Sequence, residues 1–318
     1  MNKKLALIGA GNIGGSLAML VVQAGYKEIV LFDFKPGLAQ GKALDLAQAG
    51  ALMGSNSKIT GSSDYADIKG SDIVVVTAGS PRLPGMSRDD LLAVNAKVMV
   101  AAGEAIKTYC PNAITICVTN PLDAMVHVLQ HAIGGDRNRT IGMAGVLDSA
   151  RMTYFIAQHF DTSVKNVESI VMGGHGDTMI PISNYCRVFG ESLDTHVQKK
   201  NLTQAELDGL MERTKQGGGE IVQLLQTGSA FYAPAVSAFT MVEAIARDQK
   251  RLLPVAGYVT SEYIVPKPLY LGVPAIIGAN GIQKIVSYNL TASQQAQLDH
   301  SAQAVCELII DLERLGFV

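Results

Sequence analysis

The chain has 318 residues, is 48 % hydrophobic and carries a formal net charge of −2, a profile that suits a globular protein with one large core or two ordinary ones. Near-neutral charge and the lack of a long Lys/Arg block argue against a nucleic-acid or anionic-membrane surface as the main partner, and favour a small solute. The four cysteines, Cys110, Cys117, Cys186 and Cys306, form no CxxC pair and are too sparse for a disulfide scaffold, so a reducing compartment is expected.

Lys3-Lys4 followed by Leu5-Ala6-Leu7-Ile8 has the basic start and apolar run of a secretory signal, but Gly9, Gly11, Gly14 and Gly15 interrupt it and fit a strand entering a tight turn better. With no apolar run of about 18 residues to span a bilayer, a cytoplasmic protein is expected. Short apolar runs at residues 4–8, 28–33, 72–77, 114–118 and 140–143 are bounded by turn residues and predict buried parallel strands. Helical patterns at 14–24, 36–49, 91–109 and 121–132 fill the gaps. Alternation of strand and helix predicts an α/β fold, a Rossmann-type doubly wound parallel sheet.

Beyond residue 144 the pattern changes. A helix is expected over 147–159, then an antiparallel pair of strands at 167–172 and 178–182. Helices follow at 203–225, 233–247 and 293–315, with strands near 252–258 and 269–277. The division expected is therefore a nucleotide-binding domain over 1–144 and a mixed α+β catalytic domain over 145–318.

Gly9-Ala10-Gly11-Asn12-Ile13-Gly14 has GxGxxG spacing directly between a predicted strand and a predicted helix. Glycine permits the tight turn and the close approach of backbone to a pyrophosphate, whose charge the helix N-terminus then stabilises. Asp33 ends the second strand, 19 residues after Gly14. A carboxylate there can accept hydrogen bonds from both hydroxyls of an adenosine ribose and would repel a 2′-phosphate, which favours NAD over NADP. A methyltransferase can share both features, so by themselves they do not establish redox chemistry.

Arg82 and Arg88 stand six residues apart in the segment Ser80-Pro81-Arg82-Leu83-Pro84-Gly85-Met86-Ser87-Arg88. Guanidiniums bind carboxylates through paired, charge-assisted hydrogen bonds, so two in one Pro/Gly-punctuated loop suit a lid for a substrate with more than one negative charge. Solvated surface arginines are the plain alternative. Asn120, in Thr119-Asn120-Pro121, ends a predicted strand on the side where open α/β sheets bind ligands. Asp148 and Arg151 are spaced i, i+3 on one helix face and can simply pair with each other.

His175, in Gly173-Gly174-His175-Gly176-Asp177, is expected on a turn with open space around its ring. A carbonyl that becomes an alkoxide as hydride arrives needs a proton donor, and a carboxylate to orient that donor. His175 with Asp148 fits, because an unperturbed imidazole runs the step in both directions near neutral pH. His127 and His131 are one helical turn apart but lack the glutamate of an HExxH motif, and no metal is expected.

GAGNIG, Asp33, PRLPGMSRDD, VTNP, GVLDSAR and GGHGD, taken in order, make the chain resemble the malate dehydrogenases of the lactate-dehydrogenase-like type. The likeness continues through Thr227-Gly228-Ser229-Ala230-Phe231-Tyr232-Ala233-Pro234 and Gly278-Ala279-Asn280-Gly281. It implies that His175 is the acid/base, Asp148 its orienting carboxylate and Arg151 the grip on the substrate's C1 carboxylate. Arg88 would polarise the carbonyl on loop closure, and Asn120 would hold the substrate oxygen across a cis Asn120-Pro121 bond. Gly9 to Gly14 (including Ala10, Gly11, Asn12 and Ile13), Asp33, Asn95, Val118, Thr119 and Asn120 would meet NAD.

Arg82 is the discriminating position. In lactate dehydrogenases the matching site is usually an uncharged glutamine, whereas an arginine offers a countercharge to a second carboxylate. The resemblance thus implies malate and oxaloacetate as substrates and a homodimer or homotetramer, with no nucleic-acid or membrane partner. Leu83 departs from the lysine frequent in similar sequences. The rival readings are a lactate dehydrogenase with an unusual loop, a non-catalytic NAD-binding sensor, and a metal-requiring NAD-dependent glycosidase.

Overall fold

The computed structural model describes residues 3–81 and 87–318. The first half is built around β1 (Lys4–Ile8), whose Leu5, Ala6, Leu7 and Ile8 are fully buried. Around it stand β2 (Glu28–Phe32), β3 (Lys58–Ser62), β4 (Ile73–Val76), β5 (Ile114–Cys117) and β6 (Thr140–Gly142). All of these pair in parallel, in the spatial order β3-β2-β1-β4-β5-β6. That order reverses direction between β1 and β4, and the crevice outside the carboxyl ends of the strands at such a switch point is where doubly wound sheets take ligands.

The helices α1 (Asn12–Gln23), α2 (Leu38–Leu52), α3 (Arg88–Tyr109) and α4 (Leu122–Ile133) cover the two faces. Two apolar cores result. Leu17 and Val21 of α1 lie in the core on one side, while Leu92 and Met99 of α3 and Val126 of α4 lie in the core on the other.

The sheet does not stop at residue 144. After α5 (Gly145–His159) come the short strands β7 (Val167–Glu168), β8 (Val171–Met172), β9 (Ile180–Pro181), β10 (Arg187–Val188) and β11 (Glu191–Ser192). Helices α6 (Leu193–Gln198), α7 (Gln204–Leu225) and α8 (Tyr232–Ala246) follow. Then β12 (Arg251–Val259), β13 (Leu269–Gly278) and β14 (Gly281–Ile285) add antiparallel to the β6 edge, with Ala256 opposite Gly142, and make one nine-stranded sheet among the described residues. The last helix, α9 (Ala292–Arg314), packs against α4 and α3.

Several elements differ from expectation. The run 167–172 divides: β8 pairs antiparallel with β9 as expected, but β7 joins β10 in another small sheet. Strand β3 was not foreseen because Lys58-Ile59-Thr60-Gly61-Ser62 is polar, as an edge strand can be. Helix α3 starts at Arg88 rather than Leu91, because Ser87 and Asp90 form a reciprocal capping box. Arg88 therefore belongs to a helix rather than to the loop expected from its sequence. No helix among the described residues is long and apolar enough to cross a membrane.

Candidate functional site

Two of the glycines after β1 are required by close packing. Gly9 takes φ +111°, and a Cβ there would lie 2.6 Å from the Ala78 nitrogen; a Cβ on Gly14 would lie 1.8 Å from the Gly9 carbonyl oxygen. Helix α1 is thereby pulled onto its own strand. Gly11 differs. Nothing lies within 4 Å of its would-be Cβ, and no side chain caps the helix that starts at Asn12. An uncapped helix N-terminus with space before it is a site for an anion. Lys42 of α2 reaches over the turn, its Nζ donating to the Gly11 carbonyl at 3.2 Å.

Asp33 follows β2 and accepts the Ala10 amide on Oδ2 at 2.8 Å and the Lys35 amide on Oδ1 at 3.0 Å. The carboxylate is thus fixed beside the glycine turn, and each oxygen keeps a further acceptor direction for a hydroxyl. The cradle fits a dinucleotide with an unphosphorylated ribose.

The ends of β4 and β5 form the next wall. Val118 donates its amide to Val76, and Thr119 donates its hydroxyl to the Ala78 carbonyl at 2.7 Å. Asn95 of α3, only 1 % exposed, works from behind. Its Oδ1 accepts the Ser80 amide at 2.7 Å, while Nδ2 donates to the carbonyls of Ser80 at 3.1 Å and Asn120 at 2.7 Å. All three bonds go to backbone, so this side chain shapes the crevice through Ser80 and Asn120. The Asn120-Pro121 peptide is cis, and the Asn120 side chain is on the exposed surface of the turn.

Asp148, in the first turn of α5 and 1 % exposed, stands between two donors. Arg151 Nη1 bonds its Oδ1 at 3.0 Å, and His175 Nδ1 bonds its Oδ2 at 2.8 Å. The intrahelical pair is therefore real, and it is also one half of a three-residue group. Arg151 is seated by the glycine run inside α7: a Cβ on Gly217 would lie 3.0 Å from Arg151 Cδ, and one on Gly218 would lie 3.5 Å from Nη2. Glycines within a helix cost up to about 1 kcal/mol each, and here they open the helix face for a guanidinium.

The His175 turn is clamped from three sides. Gly173 and Gly272 of β13 exchange both backbone hydrogen bonds, Gly174 donates to Ser301 Oγ of α9 at 2.8 Å, and His175 donates its own amide to Asp123 Oδ2 of α4 at 2.8 Å. Glycine here serves close packing more than openness. A Cβ on Gly173 would meet Ser301 Oγ at 2.8 Å and one on Gly174 would meet Val305 at 2.9 Å, whereas only Gly176 of the three faces space. The imidazole side chain is 13 % exposed. The open surroundings expected of His175 are thus confined to one flank.

Burial presses the imidazole toward its neutral form, but the charge and hydrogen bond of Asp148, helped by the Asp123 carboxylate, outweigh burial and the opposing Arg151, and its pKa is raised. With Nδ1 committed to Asp148, Nε2 is left to exchange a proton with a ligand. The group can give and take a proton beside a guanidinium able to bind an anion.

The structure brings together His175, Asp148 and Arg151, and it gathers Gly9 to Gly14, Asp33, Val118, Thr119 and Asn120 at one end of the sheet. Arg88 is exposed on the first turn of α3, outside the hydrogen-bonded group. Arg82 lies outside the described residues. Asp123 and Lys42 went unnoticed in the sequence, since an acid in a first helical turn and a lysine on an amphipathic helix both have ordinary explanations. Among the described residues, no cluster of three or more His, Cys, Asp or Glu could hold a metal ion.

Comparison with known proteins adds to the geometry. Residues 3–142 match the family model described as lactate/malate dehydrogenase, NAD binding domain, and residues 145–313 match lactate/malate dehydrogenase, alpha/beta C-terminal domain. The chain is 52 % identical over 306 residues to a malate dehydrogenase of Methylobacterium radiotolerans, covering 96 % of this chain and 95 % of that one. Among solved structures it is similar to Cryptosporidium parvum malate dehydrogenase, with TM-score 0.94, 42 % identity and coverage of 99 % and 100 %. It is also similar to the lactate dehydrogenase of the same organism, complexed with lactic acid and nicotinamide adenine dinucleotide, with TM-score 0.93, 40 % identity and coverage of 98 % of each chain.

Proposed function

The chain belongs to the lactate/malate dehydrogenase family, and from that premise we propose that it is an NAD-dependent malate dehydrogenase, moving hydride reversibly between (S)-malate and NAD⁺ to give oxaloacetate and NADH. The observation that carries the reading is the Asp148 carboxylate bonded at once to an imidazole and a guanidinium, at 2.8 and 3.0 Å.

NAD supplies the hydride acceptor, held by the glycine turn Gly9 to Gly14 and selected by Asp33. Asn95, Val118, Thr119 and Asn120 would touch the bound cofactor, and Asn95 fixes the backbone of Ser80 and Asn120. His175 takes the hydroxyl proton of malate on Nε2, or returns it to the oxygen of oxaloacetate, while Asp148 holds the ring and favours its charged form. Arg151 grips the C1 carboxylate, Asn120 hydrogen-bonds the reacting oxygen, and Arg88 polarises that oxygen on closing in from the exposed first turn of α3. Arg82 meets the second carboxylate. Residues 1–144 form the cofactor half and 145–318 the substrate half, and we expect a cytoplasmic homodimer or homotetramer.

The likeness to a lactate dehydrogenase makes pyruvate the competing substrate, and Arg82 decides between them. A charge-assisted pair contributes about 1.5–3 kcal/mol, so Arg82→Gln is expected to lower the oxaloacetate-to-pyruvate ratio of kcat/KM by an order of magnitude or more. An unchanged ratio would place Arg82 outside the pocket. NADH oxidation on addition of oxaloacetate should also survive a chelator, which separates the reading from metal-dependent glycosidase chemistry; tight NADH binding with no turnover on any 2-oxo acid would instead point to a sensor. Asp33→Ser is expected to relax the preference for NAD over NADP, measured as the ratio of kcat/KM for the two cofactors. A ratio that does not move would remove Asp33 from cofactor choice.

A further inference from the structure

Two neighbouring amides of the His175 turn are anchored by side chains of different chemistry. Gly174 donates to the neutral hydroxyl of Ser301, and His175 donates to the carboxylate of Asp123. Holding a backbone N–H needs only an acceptor, as Ser301 shows. A carboxylate 3 % exposed is a costly choice for that task alone, and Asp123 Oδ1 is buried without a hydrogen-bond partner among the described residues. The charge has a use beyond the anchor.

We propose that Asp123 is a positioning residue for the proton transfer, a second carboxylate that fixes the His175 backbone and supports the imidazolium alongside Asp148, which holds the ring. The inference deepens the dehydrogenase reading and rests on it. The titratable and charged groups in the neighbourhood are Asp148 and Arg151 from α5, His175 itself, and the Cys117 thiol of β5; α9 presents the uncharged Ser301 to the turn. Burial pushes the Asp123 carboxyl up to about 6, against the pull of the His175 amide and charge. Asp123 is accordingly ionised at neutral and alkaline pH, where an imidazolium needs support, and loses its charge only in acid, where the imidazole is protonated without help.

The test compares the parent, Asp123→Asn and Ser301→Ala, each measured as kcat/KM for oxaloacetate with NADH across roughly pH 5 to 10. Asparagine can still accept the His175 amide but carries no charge. The alkaline limb, on which reduction fails as His175 loses its proton, is expected to move about half a pH unit or more toward acid in Asp123→Asn, whatever the height of its plateau. Ser301→Ala removes an anchor and no charge, so its midpoint should stay with the parent's whatever happens to its rate. Should Asp123→Asn not fold, Asp123→Ser is read by the same criterion. An active Asp123 variant with the parent's midpoint would overturn the inference, whereas a parent that does not turn over oxaloacetate would overturn the functional reading beneath it.

Discussion

His175→Asn is expected to lower kcat for oxaloacetate reduction by about 10²- to 10⁴-fold, the usual contribution of a positioned general acid. Asparagine keeps a polar side chain on the turn, and the backbone bonds to Gly272, Ser301 and Asp123 do not involve the ring. The cofactor cradle lies on other elements. NADH affinity, read by fluorescence titration, should therefore stay within about threefold of the parent's. A variant with ordinary turnover would end the proton-donor role, and one that lost NADH binding as well would show that the turn and the cradle are not independent.

Asp148→Asn should have the second largest effect, with a mechanism that can be told apart. Both partners of Asp148 are donors, His175 through Nδ1 and Arg151 through Nη1. An amide has one acceptor and one donor end, so one contact must become donor against donor, and the half-buried guanidinium loses its countercharge. The raised pKa of His175 falls as well, because the Asp148 charge and hydrogen bond are what overcome burial. Reduction needs the imidazolium, which a raised pKa preserves above the ordinary value near 6.5. Oxaloacetate reduction is thus lost as pH rises through the His175 pKa, and malate oxidation, which needs the neutral ring, is gained over the same window. In Asp148→Asn both limbs should move to lower pH, with kcat/KM for reduction down by about 10²- to 10³-fold at pH 8 and KM for oxaloacetate raised. Unshifted limbs would mean that another group titrates in the profile.

Much of this was legible in the residues, and the reasons differ by element. Buried parallel strands announce themselves as short apolar runs, so β1, β2, β4, β5 and β6 were found within a residue or two. Edge strands do not. Both β3 and β14 lie at the ends of the sheet with solvent-facing lysines, and Lys58, Gln283 and Lys284 hide them from any apolar count. The antiparallel extension through β12 and β13 was read as two strands, but nothing in their composition says that they join the β6 edge. That pairing is a tertiary fact.

At the site, glycine spacing, the carboxylate after β2 and the Asp148, Arg151 and His175 set were all visible as residue types at meaningful spacings. What was not visible was the far partner of each. Gly217 and Gly218 fall inside the helix expected over 203–225, but nothing in their spacing says that they sit beneath Arg151. Asp123 carries no signal of its own in the first turn of a helix, and it reaches the His175 amide, 52 residues away. The capping box of Ser87 and Asp90 was readable from spacing alone, and attending to it would have placed Arg88 on α3.

A doubly charged 2-oxo acid is thus held to be reduced by hydride from NADH, with His175 supplying the proton, in a pocket whose arginines meet its two carboxylates. The most direct test is kcat/KM for oxaloacetate and for pyruvate, measured side by side with NADH on the intact chain. A value for oxaloacetate higher by about 10²-fold or more, the worth of one or two charge-assisted bonds, is what the account predicts. Equal values, or a preference for pyruvate, would contradict it.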